Sequence, residues 1–141
     1  MIKIKLLSVG RTKETWLEEA IQEYVKRLSS EACFEFLWLK DDAALEHAMQ
    51  KEKHLVLLDS RGRQMDSVEF ADFLFREFER EGSRLTFAIG GAEGFSEKIK
   101  QQFPVHISLS KMTFTHQMIR VILIEQIFRG FEIRKGSQYH K

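Results

Sequence analysis

The chain has 141 residues, of which 43% are hydrophobic and 30% charged, with a formal net charge of +1. That length fits one domain able to bury a core, and no apolar run approaches the roughly 20 residues that span a bilayer, which excludes a membrane-embedded role. The single cysteine, Cys33, excludes an intrachain disulfide; five histidines with neither HxxxH nor HxH spacing, and no CxxC, give no pattern for a metal.

In chain order, alternation over 2–9 predicts a strand, and its apolar part is too short for a secretion signal, so the chain is expected in the cytoplasm. Leu17, Ala20, Ile21, Tyr24, Val25 and Leu28 recur at helical spacing and predict a helix over 13–29. A strand follows over 33–39, with Cys33 expected to be a buried, inert thiol between Ala32 and Phe34, and then a shorter helix over 42–51. The continuous apolar run at 54–59 predicts a strand covered on both faces, ended by a turn at Ser60, Arg61 and Gly62. Asp66 or Ser67 can cap a helix through about Glu81, with Gly82 just past its end.

Residues 84–89 predict another buried strand, running into Gly90-Gly91-Ala92-Glu93-Gly94. A short helix over 96–102, a strand over 105–109 after Pro104, the only proline, and a long helix over 116–133 complete the chain. Strict alternation of strand and helix implies an α/β fold, a mostly parallel sheet flanked by helices. Ligands in such sheets bind beyond the carboxyl ends of the strands. The last helix has almost no polar face, since Met118, Ile119, Val121, Ile122, Leu123, Ile124, Ile127, Phe128, Phe131 and Ile133 surround it. A second copy of the chain is expected to cover it. Glu125 and Arg129, four apart, can pair on its surface.

Charge is polarised along the chain. From position 111 onward six Lys/Arg stand against two acids, a net of +4, which leaves −3 on residues 1–110. Such a field favours an anionic partner. The glycine segment at 90–94 is neither GxGxxG nor GxxxxGK[ST], so dinucleotide and P-loop signatures are absent. Taken alone it reads as a tight turn, His116 as an ordinary first-turn residue, Arg120 as a partner for Glu125 or for an acid in a second subunit, and Tyr139, His140 and Lys141 as a loose end.

In combination these segments say more. Phe87 to Gly94, Leu109-Ser110-Lys111-Met112-Thr113-Phe114, His116-Gln117-Met118-Ile119-Arg120-Val121 and the terminal Tyr139-His140-Lys141 resemble, in order and spacing, the large-subunit ribosomal RNA methyltransferase H family of the SPOUT class. Leu7-Ser8-Val9-Gly10 and Tyr24-Val25-Lys26-Arg27-Leu28 match it too, so the resemblance covers essentially the whole chain. It implies a homodimer of single SPOUT domains, residues 1–141, whose C-terminal part forms a trefoil knot. It also implies methyl transfer from S-adenosylmethionine to N3 of a pseudouridine in 23S rRNA, with the large subunit or the assembled ribosome as partner. Leu58, Gly90, Leu109, Ser110, Lys111, Met112, Thr113 and Phe114 would then line the cofactor pocket. His116, Arg120, Tyr139 and His140 would surround the target base, a histidine accepting its proton and Arg120 stabilising negative charge. Lys111, Arg129, Arg134, Lys135 and Lys141 would contact rRNA phosphates. Thr115 stands where the family usually has proline, and threonine can cap the helix instead; the segment 39–53 is shorter than usual. Two rival functions remain open, a SPOUT methyltransferase acting on tRNA and a non-catalytic ribosome-binding knot protein.

Overall fold

The computed structural model describes residues 1–140. Its elements alternate as expected: β1 (Ile2–Val9), α1 (Thr15–Arg27), β2 (Ala32–Leu39), α2 (Asp42–Met49), β3 (Val56–Gln64), α3 (Ser67–Arg80), β4 (Arg84–Ile89), α4 (Glu97–Gln102), β5 (Val105–Ser108) and α5 (His116–Lys135). The strands form one parallel sheet in the order β2-β1-β4-β3-β5. Side chains alternate across a sheet, so each strand feeds two cores. Ile4, Leu6, Phe87 and Ile89 pack beneath α1, α3 and α5, while Leu7, Leu57 and Ala88 pack beneath α2 and α4. Each fully buried Leu or Phe is worth about 1.5–3 kcal/mol of transfer free energy.

Local chemistry sets the helix boundaries. The amide of Glu69 donates to Asp66 Oδ1 at 2.8 Å and the amide of Asp66 donates back to Glu69 Oε1 at 2.9 Å, a closed capping box at the start of α3. Thr115 does cap α5, its hydroxyl accepting from the amide of Met118 at 3.2 Å. Gly136, at φ +73°, ends that helix in the left-handed region. Between these ends α5 lies across the sheet against both α1 and α3. Leu123, Ile124 and Ile127 are fully buried, Phe128 meets Tyr24 with ring centroids 5.7 Å apart, and Phe131 meets Phe75 at 5.1 Å. Much of the cover that its apolar circumference demands therefore comes from the same chain, and Met118, Val121 and Ile122 stay half-buried.

Two expectations are corrected. Cys33 is exposed, because β2 is the edge strand and Cys33 lies on the part of the sheet face that α2 and α4 leave uncovered. Ser60, Arg61 and Gly62 do not end β3. Leu58 pairs with Ile107, the chain bulges outward, and pairing resumes with Arg63 on Ile107 and Gln64 on Ser108. A Cβ at position 62 would stand 2.7 Å from the carbonyl carbon of His106, so this glycine serves a backbone crossing over β5 rather than a turn.

Candidate active site

The bulge within β3 and the loops that follow β4 and β5 gather at the carboxyl end of the sheet around a crevice of about 400 Å³. Each wall owes its shape to a specific constraint. In the loop after β4, Gly94 takes φ +72° and its amide donates to the Gly91 carbonyl at 2.9 Å, while a Cβ on Gly91 would press into the Asp42 carboxylate at 2.7 Å. After β5, the Ser108 hydroxyl donates to the Ser110 carbonyl at 2.8 Å, and the Ser110 hydroxyl accepts from the amide of Met112 at 3.0 Å. After Leu58, Asp59 accepts from the amide of Arg61 at 3.0 Å and holds Lys100 of α4 at 3.1 Å. Burial alone would raise the Asp59 pKa, but the Arg61 amide and Lys100 outweigh it and leave the carboxylate below its ordinary range.

The crevice brings together Leu58, Gly90, Leu109, Ser110, Met112, Thr113, Phe114 and His116. Lys111 is exposed and is not part of the wall. His116 is half-buried on the first turn of α5. Burial, then the positive charges of Arg120 and Lys13, lower its pKa below the ordinary value; the Val9 carbonyl and the Asp42 carboxylate oppose them without prevailing. At neutral pH its imidazole is uncharged and able to accept a proton.

Arg120 lies behind the wall, one helical turn on, and is 0% exposed. It does not pair with Glu125. Its guanidinium donates to the Ser8 hydroxyl at 2.9 and 3.2 Å, to Thr12 Oγ1 at 3.1 Å, and to the carbonyls of Val9 and Gly10 at 2.7 and 2.6 Å, with the Trp38 ring 4.0 Å below it. Burial lowers its pKa to about 10, with Glu18 opposing, so the group stays charged at neutral pH. Gln117 reinforces the tie, donating to the Arg11 carbonyl at 3.0 Å and accepting from the Lys13 amide at 3.2 Å. The sequence-based set of site residues does not include Ser8, Thr12, Trp38, Asp59, Lys100 or Gln117; the available hints are a hydroxyl at Ser8 inside an apolar strand and the place of Ser8 and Gln117 within the matching segments.

Tyr139 and His140 lie at the far end of the same helix, away from His116. The Tyr139 hydroxyl donates to Glu125 at 2.8 Å, its ring meets Phe128 edge-on at 4.8 Å, and Arg129 joins both Glu125 (3.0 Å) and His140 Nδ1 (3.0 Å). Partial burial, then hydrogen bonding to Glu125, push the phenol pKa up. The expected Glu125–Arg129 pair is present. Among the other expected phosphate contacts, Lys135 bridges Glu31 and Glu132 at 2.9 Å each and Arg134 stacks on Phe75 at 4.6 Å. Lys141 lies outside the described residues.

Residues 2–140 match the family model described as predicted SPOUT methyltransferase. The chain belongs to that family. It is 52% identical over its whole length, and over the whole of the relative, to ribosomal RNA large subunit methyltransferase H of Protochlamydia amoebophila. Proteins of the same name from Geobacter sp. (strain M21) and Bacteroides thetaiotaomicron are 41% and 42% identical over 99% of both chains. A solved probable methylase family protein from Haemophilus influenzae shares the fold at TM-score 0.55 and 8% identity, over 94% of this chain and 66% of that one. No group of three or more potential metal ligands occurs among the described residues.

Proposed function

We propose that this chain methylates N3 of a pseudouridine in 23S rRNA with S-adenosylmethionine as donor. The observation that carries the proposal is the conjunction of the backbone-lined crevice with a neutral His116 on its wall. The crevice fits the donor in kind: its volume is in the range of small-molecule sites, glycines bring bare backbone to its edge, and Leu58, Ile89 and Leu109 offer apolar contact beside the amides of the two loops. Leu58, Gly90, Leu109, Ser110, Met112, Thr113 and Phe114 would hold the donor, which supplies an electrophilic methyl group on a sulfonium.

The rest is the work of the protein. An imide N3 is mostly protonated at neutral pH, so the reaction needs an acceptor for that proton. His116 accepts it, and the crevice walls align the reactants and exclude water. Arg120 is a positioning residue in this reading: it locks the first turns of α5 to the Gly10–Glu14 loop and so fixes His116, while its charge adds to burial in keeping the imidazole neutral. Tyr139 and His140 reach a target base only from a second copy, so the homodimer supplies them to the partner's crevice. The half-buried Met118, Val121 and Ile122, continued by Met112 (73% exposed) and Phe114 (37%), form an apolar band suited to that contact. The crossing at Gly62 and the return of α5 between α1 and α3 support the trefoil-knotted threading of a single domain over residues 1–141. Action on ribosomes places the protein in the cytoplasm.

The test is transfer of labelled methyl from S-adenosylmethionine to large subunits and ribosomes lacking the modification, with tRNA alongside and the product nucleoside identified by mass spectrometry. Methylated pseudouridine from the ribosomal particle is the expected product. Methylated tRNA with unmodified particles would overturn the substrate assignment; donor binding without transfer to either would leave a ribosome-binding module.

A further inference from the structure

A larger hollow, a cleft of about 650 Å³, lies at the opposite end of the sheet, over the amino ends of β1, β2 and β4 on the face that α2 and α4 leave open. Strand positions facing that side change character along their length. Leu7 and Ala88 are buried beneath helices, whereas Lys3, Lys5, Arg84 and Thr86 precede them on the same face. The floor is internally neutralised: Glu52 receives Lys5 Nζ at 3.1 Å and the Thr86 hydroxyl at 2.9 Å. The rim is not. Lys3, Lys51, Lys53 and Arg84 are exposed and enter no ion pair or side-chain hydrogen bond among the described residues. They face only two further carboxylates in the cleft, Glu35 and Glu81.

Lys3 and Arg84 are register partners on adjacent strands, which stand about 4.8 Å apart. Like charges directly opposed on a sheet are destabilising, and among the described residues no carboxylate forms an ion pair with either member. Meanwhile Arg129 and Lys135, expected to bind rRNA, are held by Glu125, Glu31 and Glu132. We infer that the Lys3–Arg84 pair, with Lys51 and Lys53, is a phosphate-binding surface that grips the rRNA backbone of the ribosomal substrate at a segment distant from the methylated nucleotide. An eight-residue strand separates the two ends by roughly 26 Å at about 3.3 Å per residue. The contact therefore reads shape across the particle. The inference rests on the rRNA reading above.

The experiment measures binding of large subunits by sedimentation, without donor, across a salt series, together with KM and kcat for methyl transfer. For K3E/R84E, affinity for particles is expected to fall tenfold or more. The slope of log affinity against log salt should lose about 0.7 per phosphate contact removed, roughly 1.4 in all. Donor affinity and kcat at saturating particles should not change. K51Q/K53Q, confined to exposed positions, should shift both in the same direction by less, and decides the matter if the first variant fails to fold. Unchanged affinity and salt slope in folded variants would overturn the inference. Absence of methyl transfer by the wild-type protein, with salt-dependent particle binding intact, would instead overturn the catalytic reading alone.

Discussion

The two ends of the sheet are built on different principles. At the carboxyl end, shape comes from backbone, from glycines at 90, 91 and 94 and from serine hydroxyls that close short turns; Asp59 is paired with Lys100, and Arg120 is enclosed by Ser8, Thr12 and two carbonyls. At the amino end, the sheet keeps its solvent face and carries Lys3, Lys51, Lys53 and Arg84, which enter no ion pair among the described residues. The first arrangement can orient a small donor and tune one imidazole. The second can do neither, but it can hold a polyanion. The difference teaches that net charge along the chain is a poor guide to where RNA is gripped, because many C-terminal cations are consumed internally.

Several substitutions would break or sharpen this contrast. The largest effect is expected for His116→Ala, a loss of about 10²- to 10⁴-fold in kcat, as for removal of a general base, with donor affinity retained in calorimetry. In the wild type, activity should rise with pH through a value below 6.5, because the depressed histidine must lose its proton to act, and should show no further histidine-dependent step above it. A rise centred above 6.5 would break the link to His116.

Smaller effects follow at residues that act through others. Arg120→Met strands the buried Ser8 hydroxyl, at about 1–3 kcal/mol for a group left unsatisfied, and releases the half-buried Thr12 hydroxyl and the Val9 and Gly10 carbonyls. It should lower the melting temperature and kcat, and it should raise the apparent pKa of the activity profile towards 6.5 by removing a positive charge from beside His116. A purely structural arginine would leave that pKa unmoved. Gly62→Ala forces a methyl group to within 2.7–2.8 Å of the β5 backbone, which should cost about 1–3 kcal/mol, the range for overpacking. Denaturant unfolding measures it directly, and the damage should extend to donor binding because β5 leads into the 109–114 loop. Smallest of all, Cys33→Ser should change stability by less than about 0.5 kcal/mol, as at other exposed surface positions.

How far the sequence alone leads can be seen residue by residue. Apolar runs such as 54–58 and 85–89, and the caps at Asp66 and Thr115, predict the elements and their order, because those signals are local. The passage of β3 beyond Asp59 is not local: Gly62 is a glycine on account of His106 and Ile107, more than forty residues away. Cys33 could not be placed without the strand order, which makes β2 an edge. Within the site, the loop residues and His116 were legible as a pattern of segments. Arg120 taken alone reads as a surface charge and the resemblance puts it beside the target base, but nothing in its helix announces that Ser8, Thr12 and Trp38 will enclose it.

The division of labour between the two ends is tested most directly by steady-state methyl transfer to ribosomal particles with the wild type, His116→Ala and K3E/R84E measured in parallel. The account predicts a crossed result, in which the histidine variant loses kcat with KM retained, and the charge-reversed variant raises KM for the particle with kcat retained. If both variants lower the same parameter, or if loss of His116 leaves kcat intact, chemistry and grip do not reside where the two ends of the sheet place them.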